Sequence, residues 1–369
     1  MVWFEASEEE GLGMLPRTFN GFSVNAVMRN TAHRLARLTL CAPILFLSMS
    51  SAIAQQQEVE LKLMLGDVSL NKLPFVMAYE EGIFEKNGLN LKPMFTRGSV
   101  EIIRLSGVDV PEEFILQSNS QTPIKIGGAS PTIVRLTTRT GGWDPVILGS
   151  THRVSRWRIV GRPDITSPEQ LKGKRIGYSG VGAVTHFMAT SFAEAMGWDP
   201  RFDWSMMADG LGVAPLQNGY VDAIIGPELH TTMAVDAGYK VLVDLGEYEL
   251  PVAGSSFLVD RTWLEDNRDT ARRFVKSSVE AIALLKNDKQ AAFRTLRKWF
   301  QLTDPELLEY FYREAEKLPS KPYPPYEGLK KVMEIYDSHE MRKYTLEHFY
   351  DDSFMRELDE SGYIDSLYK

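Results

Sequence analysis

Between residues 58 and 260, short apolar runs alternate with amphipathic stretches, separated by polar, glycine-punctuated turns. Residues 58–65 (EVELKLML) alternate charged and apolar positions, the period of a strand. After a break at 66–72, residues 73–86 read as one helix, with Phe75, Met77, Ala78 and Phe84 on apolar positions and Asn87-Gly88 as its stop. Residues 89–95 (LNLKPMF) form a second strand, and Pro93, lacking an N–H, argues for a sheet edge or a strand end. Further strands are expected at 123–126, 145–149, 157–160, 175–178, 223–225 and 241–243, with helices at 131–138 and 185–196 and a short one opened by Ser167-Pro168. Strands separated by helices predict an α/β fold whose parallel sheets are covered on both faces. From residue 260 the pattern becomes helix after helix, at 265–286, 289–300, 305–316 and 327–338, divided by the Pro-rich stretch 318–326.

The N-terminal region is built differently. Arg29, Arg34 and Arg37 precede an apolar run at 38–49, and Ala52-Ile53-Ala54 follows it. That is the order of a secretory signal peptide. A helix of that length spans roughly 18 Å, short of the ~30 Å hydrocarbon core, so it suits export better than permanent anchoring. Residues 28–54 are therefore expected to be a signal peptide. Residues 1–27 carry Glu5, Glu8, Glu9 and Glu10 where an n-region should be basic, and are expected to be a spurious extension ahead of a true start at Met28.

Removing residues 1–54 leaves 315, enough for two domains. The chain is 44% hydrophobic and 24% charged, as globular proteins are. Four arginines and four glutamates leave with the N-terminal segment, so the net charge stays at −8. That balance disfavours nucleic acid and a polybasic membrane contact, while a small ligand can still meet a locally positive site. The single cysteine, Cys41, lies inside the apolar run, which Ile44 to Leu47 continue past it, unlike a lipobox. A mature chain without cysteine has no disulfide, thiol nucleophile or cysteine metal site. An exported, disulfide-free chain points to the periplasm.

In an open α/β sheet, ligands sit beyond the carboxyl ends of strands, where helix N-termini offer free N–H groups. Here those turns are polar. Asp67, Ser69, Leu70 and Asn71 follow the first strand, Arg97 the second, Ser130 the third, and Thr151, His152 and Arg153 the fourth. The richest turn is Ser179-Gly180-Val181-Gly182-Ala183-Val184-Thr185. It is not a P-loop, because no Gly-Lys-Ser/Thr follows, and its glycines are out of order for a dinucleotide fingerprint. Arg97 and Arg153 are candidate partners of a carboxylate or sulfonate, which a guanidinium fork matches. Trp157, Trp204, Tyr178 and Phe257 could stack on an aromatic ligand. His152 and His230 belong to no metal-binding array, and no serine–histidine–acid constellation or nucleophile elbow is present. No catalytic residue, metal or cofactor is expected.

Residues 73–89 (LPFVMAYEEGIFEKNGL) resemble the opening motif of the nitrate/sulfonate/taurine-type substrate-binding proteins of ABC importers, in the thiamine-pyrimidine-synthase-like superfamily. Pro74, Ala78, Gly82, Phe84, Gly88 and Leu89 fit that motif. Residues 171–177 (LKGKRIG) resemble the opening of the family's second lobe. Residues 215–223 (PLQNGYVDA) resemble its A-L-x-x-G-x-V-D-A motif, with Pro215 departing from the usual alanine, and residues 238–244 its sequel. The resemblance implies a two-lobed, type II periplasmic-binding fold with two hinge crossings, near 157–164 and 252–259, and a helical C-terminal tail. Lobe 1 would be 55–160 plus 253–369, and lobe 2 would be 161–252. It implies closure of the lobes on a small organic anion, a sulfonate or carboxylate, with aromatic walls if the ligand is cyclic, and with an ABC permease and its ATPase as partners of a monomer. Carried onto this chain, the ligand residues are Asp67, Ser69 to Asn71, Arg97, Ser130, Thr151, Ser179 to Thr185 and Glu228. Relatives that are enzymes, decarboxylase-like, and ligand-sensing receptor subunits stand as alternatives. The cysteine-rich site of the thiamine-pyrimidine synthases cannot exist in the mature chain.

Overall fold

The alternating segment folds as two mixed sheets between which the chain passes twice. The computed structural model describes residues 59–117, 122–138 and 143–369, all within one compact unit, Gln55–Lys369. The expected extension at 1–27, the signal peptide at 28–54 and Cys41 lie outside the described residues.

Strands β1 (Val59–Leu65), β2 (Leu89–Phe95), β3 (Ile124–Gly128) and β4 (Pro145–Ser150) belong to the first sheet. The chain then crosses and lays down β5 (Arg158–Gly161), β6 (Arg175–Gly177), β7 (Ser205–Met207), β8 (Ala223–Gly226) and β9 (Lys240–Asp244), and returns as β10 (Ser255–Asp260). The orders are β2-β1-β3-β10-β4 and β7-β6-β8-β5-β9. Pro93 sits in an edge strand, where its missing N–H disturbs no ladder. The sheets are not purely parallel as the alternation predicts. β10 runs antiparallel to β3 and β4, and β5 antiparallel to β8 and β9. Both are the strands entered directly from the other lobe, without the helical crossover that parallel neighbours need. The crossings themselves, at 151–157 and 245–254, lie earlier than expected, because Arg158 and Ser255 are already paired within their sheets. A Val154↔Pro251 bridge ties the two crossings together.

The helix expected over 73–86 is two, α1 (Leu73–Glu80) and α2 (Ile83–Lys86), because Gly82 takes φ 67° and turns the chain left-handed between them. Next come α3 (Arg97–Arg104), α4 (Ala129–Thr137), α5 (Val184–Ala195), α6 (Val213–Gln217) and α7 (Glu228–Asp236). The segment opened by Ser167 is a 3-10 turn, Pro168–Leu171, which the Ser167 side chain does not cap. The tail holds α8 (Arg261–Asp266), α9 (Arg268–Asn287), α10 (Lys289–Trp299), α11 (Pro305–Glu316), α12 (Tyr326–Ile335), α13 (Ser353–Glu360) and α14 (Tyr363–Ser366). Tail residues Phe274, Leu296, Phe311 and Phe354 share one core with Leu63, Phe75 and Phe257 of the first sheet and α1. Leu329 and Val332 of α12 instead join Ile147 and Leu258 with the second lobe's Phe187 and Phe192. The tail is thus part of the structure that holds the first sheet, and α12 reaches the second lobe.

The V-D-A motif proves structural. Asp222, just before β8, accepts hydrogen bonds from the Arg175 backbone N (2.9 Å), Nε (3.0 Å) and Nη2 (2.8 Å), and from Arg162 Nη1 (3.3 Å). One carboxylate therefore pins the ends of β5, β6 and β8. The Arg175 hydrogen bond, with smaller help from its charge and that of Arg162, overrides burial and lowers the Asp222 pKa to about 2. A depressed carboxylate stabilises the fold above its unfolded pKa and stops doing so as pH falls towards the folded one. Because the arginines are over a third exposed, the contribution is about 1–2 kcal/mol. Urea unfolding of Asp222→Asn should show that loss at pH 7 and a smaller fall in stability than wild type between about pH 4 and pH 2.

Candidate ligand-binding cleft

β1–β4 run in one direction in their sheet and β6–β9 in one direction in theirs, so each sheet gathers its strand-to-helix turns at one end. Those ends meet. A Cβ on Gly182 would lie 3.5 Å from Val134 of α4, and one on Gly107 would lie 3.7 Å from Met233 of α7. Leu229 of α7 joins the first lobe's core outright.

The first lobe supplies a floor of buried polar groups. After β1 the chain makes a 3-10 turn, Leu70–Lys72, that faces inward and buries all three residues. Lys72 Nζ lies 2.6 Å from Asp67 Oδ2 and donates to Ser255 Oγ (3.3 Å) and, more weakly, to Ser69 Oγ (3.5 Å). The Thr151 hydroxyl donates to the Asn71 carbonyl (2.6 Å), and Asn71 Oδ1 accepts from Arg156 Nη2 (3.1 Å). Ser150 Oγ donates to the Ser255 carbonyl (2.9 Å) and accepts from the His152 backbone N–H (3.1 Å). The crossing therefore places Arg156, His152 and Trp157 against the β1 turn, and the His152 ring lies 4.8 Å from that of Trp157.

This region leaves several buried atoms without a protein partner: Asp67 Oδ1, Ser130 Oγ, both nitrogens of His152, Trp157 Nε1 and Glu228 Oε2, while the buried His230 ring has the Ile102 carbonyl within reach. Ser130, His152, Trp157, Glu228 and His230 are each more than nine-tenths buried. A buried polar group without a partner costs about 1–3 kcal/mol, and a folded protein holds few of them. Such a concentration, drawn from both lobes, marks a surface shaped for something polar.

The charges in this region are coupled. Burial pushes the Asp67 carboxyl up, but the charge and hydrogen bond of Lys72, with Ser69 and His230, bring it below its ordinary value. Burial pushes Glu228 up; its own backbone N–H and Arg156 oppose this and do not overcome it. Burial, reinforced by Arg156 and Lys72, holds the His152 pKa well down. Burial likewise lowers that of His230, against Asp67 and the Ile102 carbonyl. Both imidazoles are therefore neutral at pH 7, each with one donor and one acceptor nitrogen. Arg156 is pulled down by burial and supported by Glu228 and Glu314.

The remaining sequence candidates lie in different places. Ser69, Asn71 and Thr151 are in the buried floor, and Leu70 is in the first lobe's core. In the 179–185 turn, the Ser179 backbone N–H (3.0 Å) meets Thr185 Oγ1, as does the Ser179 hydroxyl (2.7 Å). The Gly182 N–H donates to His186 Nδ1 (3.2 Å), while Val181 is 80% exposed. Gly180 and Ala183 share this partly exposed rim, and no side chain caps the start of α5. Arg97 is exposed at the start of α3. Arg153 points away from the buried set, into a groove of about 570 Å³ lined by Glu249, Pro324, Pro325 and Tyr326. Trp204 packs against Phe192 and Trp198, Phe257 sits among Phe75 and Phe274, and Tyr178 stacks on His186. Lys72 and Arg156 escape the sequence reading. A lysine in a polar turn and an arginine before a strand look solvated until the fold buries them. Tyr310 of α11 escapes it too: Arg158 lies 5.0 Å above its ring, and burial raises its pKa to about 12. Among the described residues no group of three or more His, Cys, Asp or Glu is placed to hold a metal ion.

Residues 147–292 match the family described as NMT1/THI5 like. YtlA of Bacillus subtilis (strain 168), named as a putative binding protein, is 22% identical over 281 residues, 73% of this chain and 80% of its own length. Among solved structures, the periplasmic nitrate-binding protein NrtA of Synechocystis PCC 6803 is similar with TM-score 0.64 at 13% identity, over 85% of this chain and 91% of NrtA. The periplasmic aliphatic sulphonate binding protein SsuA of Escherichia coli gives 0.56 at 18% identity, over 76% and 91%. The desulfurization enzyme DSZB gives 0.55 at 16%, over 82% and 99%. These likenesses establish the periplasmic-binding-protein fold.

Proposed function

We propose that this chain, with its NMT1/THI5-like segment and its periplasmic-binding-protein fold, is the periplasmic solute-binding component of an ABC importer, closing on a small organic anion and delivering it to a permease and its ATPase. The observation that carries the reading is the set of buried, unpartnered polar atoms contributed by the β1 turn, the first crossing and α7. A cleft that alternates between open and closed keeps such groups hydrated when open and gives them to the ligand when closed. The relatives named as binding proteins support the same reading.

In this site Arg156 is the guanidinium that meets the anionic group. Asn71 takes one of its nitrogens, and a guanidinium has five N–H donors to share. Trp157 and one imidazole nitrogen of His152 add neutral donors. A thermal-shift panel of sulfonates, aromatic carboxylates, nitrate and pyrimidines should contain at least one compound that raises the melting temperature in proportion to the logarithm of its concentration. Arg156→Ala should weaken that compound about 10- to 100-fold by calorimetry, the loss of one charged hydrogen bond. Arg97→Ala, at an exposed position, should change it far less. A panel without a hit, or an Arg156→Ala protein that binds as wild type, would remove the basis of the reading. Because DSZB shares the fold, the recovered ligand should be weighed by mass spectrometry. Binding alone returns it unchanged at one per chain.

A further inference from the structure

The groove that takes Arg153 lies apart from the buried polar set and is built from both crossings and the start of the tail's α12. Its walls are set by backbone packing. The Ser155 N–H donates to the Leu250 carbonyl (3.0 Å) and the Val252 N–H to the Arg153 carbonyl (2.9 Å), so the crossings hold each other. A Cβ on Gly328 would fall 2.3 Å from the Val252 carbonyl carbon, so α12 lies backbone to backbone on the second crossing. The Pro322 carbonyl accepts from the Ser150 N–H (2.9 Å), which pins the Pro-rich stretch to the end of β4. A cavity of about 570 Å³ with such walls is preformed and has the size of a small-molecule site.

Arg153 is the cation of its lining, and it is half-buried. Among the described residues no hydrogen bond or ion pair engages its guanidinium. Burial draws its pKa down, opposed only by Tyr326. The neighbours that could satisfy it are engaged or turned to solvent: the Tyr326 hydroxyl donates to Asp352 Oδ2 (2.8 Å), Glu327 accepts from Lys330 Nζ (2.7 Å), and Glu249 is exposed. A charge taken part-way out of water without a counter-ion is a cost that a bound anion removes. Pro251, Pro324, Pro325 and the Tyr326 ring add apolar faces that suit a flat guest. The exposed carboxylates of Glu249 and Glu327 penalise any guest with a second negative charge.

We propose that this groove is a second ligand site, outside the cleft, which takes a small aromatic monocarboxylate with its charge on Arg153 and its ring against the prolines and Tyr326. The occupant stands on the two crossings themselves. The site does not depend on the importer reading, because none of its residues belongs to the buried polar set.

Calorimetry of the full chain with benzoate, neutral benzamide and dianionic terephthalate tests this. Benzoate should bind tenfold or more tightly than either of the others. Arg153→Gln should cut benzoate affinity tenfold or more, and Arg156→Ala should leave an Arg153-dependent site for it. If benzoate enters the cleft as well, it binds at two per chain, and each substitution removes one site. Benzoate binding that Arg153→Gln leaves unchanged, equal binding of benzamide, or no benzoate binding at millimolar concentration overturns the proposal and leaves the importer reading intact. Arg153-dependent benzoate binding beside a panel without any Arg156-dependent hit does the reverse. Should Arg153→Gln fail to fold, Glu249→Gln decides: it should tighten terephthalate several-fold, and an unchanged affinity overturns the proposal.

Discussion

Gly177→Ala is expected to destabilise the chain by about 3 kcal/mol or more and to weaken ligand binding at the same time. Gly177 ends β6, and a Cβ there would fall 2.1 Å from the Gly210 carbonyl oxygen and 2.7 Å from its carbon. The obstacle is backbone, and it is held in place: Tyr178 N–H donates to Met207 O (3.1 Å) and Gly210 N–H to Tyr178 O (3.1 Å). Overpacking of a well-packed interior typically costs 1–3 kcal/mol, and a clash with hydrogen-bonded backbone lies at or beyond the top of that range. The only relief is to separate the two segments, which shifts the 179–185 turn that follows directly. Urea denaturation should show the fall in midpoint, and calorimetry with the best ligand of the panel should show reduced affinity in the protein that remains folded. Wild-type stability in Gly177→Ala would mean that the two backbones are not packed as described.

Phe274→Ala should cost about 3–5 kcal/mol, the range for removing a buried phenylalanine and leaving a cavity. Phe274 lies on α9, in the tail, yet its ring stacks near those of Phe75 (6.3 Å, 19°) and Phe84 (6.3 Å, 19°) and meets Phe257 edge-on (5.9 Å, 78°). All four side chains are fully buried. They come from α9, α1, α2 and the interior strand β10, so the cavity would open beneath the sheet that carries the β1 turn. Thermal unfolding of Phe274→Ala should give a single transition at lower temperature, with the tail and the first sheet lost together. A separate early transition of the tail would show that α9 is not part of that core.

Much of the architecture was legible because it depends on local chemistry. Pro93 cannot complete a ladder, and its strand lies at an edge. Asp304 and Pro305 open α11, the proline at its first position and the Asp304 side chain accepting from the Glu306 and Leu307 backbones (2.8 and 2.9 Å), so residues 305–316 could be bounded closely. The elements that escaped are short or weakly patterned. They include α3, β7 at three residues, and α7, whose sequence ELHTTMAVD has no apolar stripe. α7 forms because its carboxylate-bearing first turn suits a helix N-terminus and its Leu229 reaches the other lobe's core. The antiparallel direction of β5 and β10 was equally hidden, because it follows from which lobe the chain arrives from.

The site divides along the same line. By itself the sequence determined that the chain alternates strands and helices and that its polar residues cluster after strands, at Asp67, Ser130, Thr151 and Glu228. Period and turn chemistry act over a few residues, and a single chain records them. Tertiary structure alone decided that Lys72 is buried against Asp67, that Arg156 reaches Asn71, that Arg153 faces a different groove, and that Asp222 ties three strands together. Each of those facts depends on side-chain direction at irregular backbone, and all but the Lys72–Asp67 pair also on segments that meet from far apart in the chain, 47 residues between Arg175 and Asp222 and 85 between Asn71 and Arg156. Spacing along the chain carries no record of either.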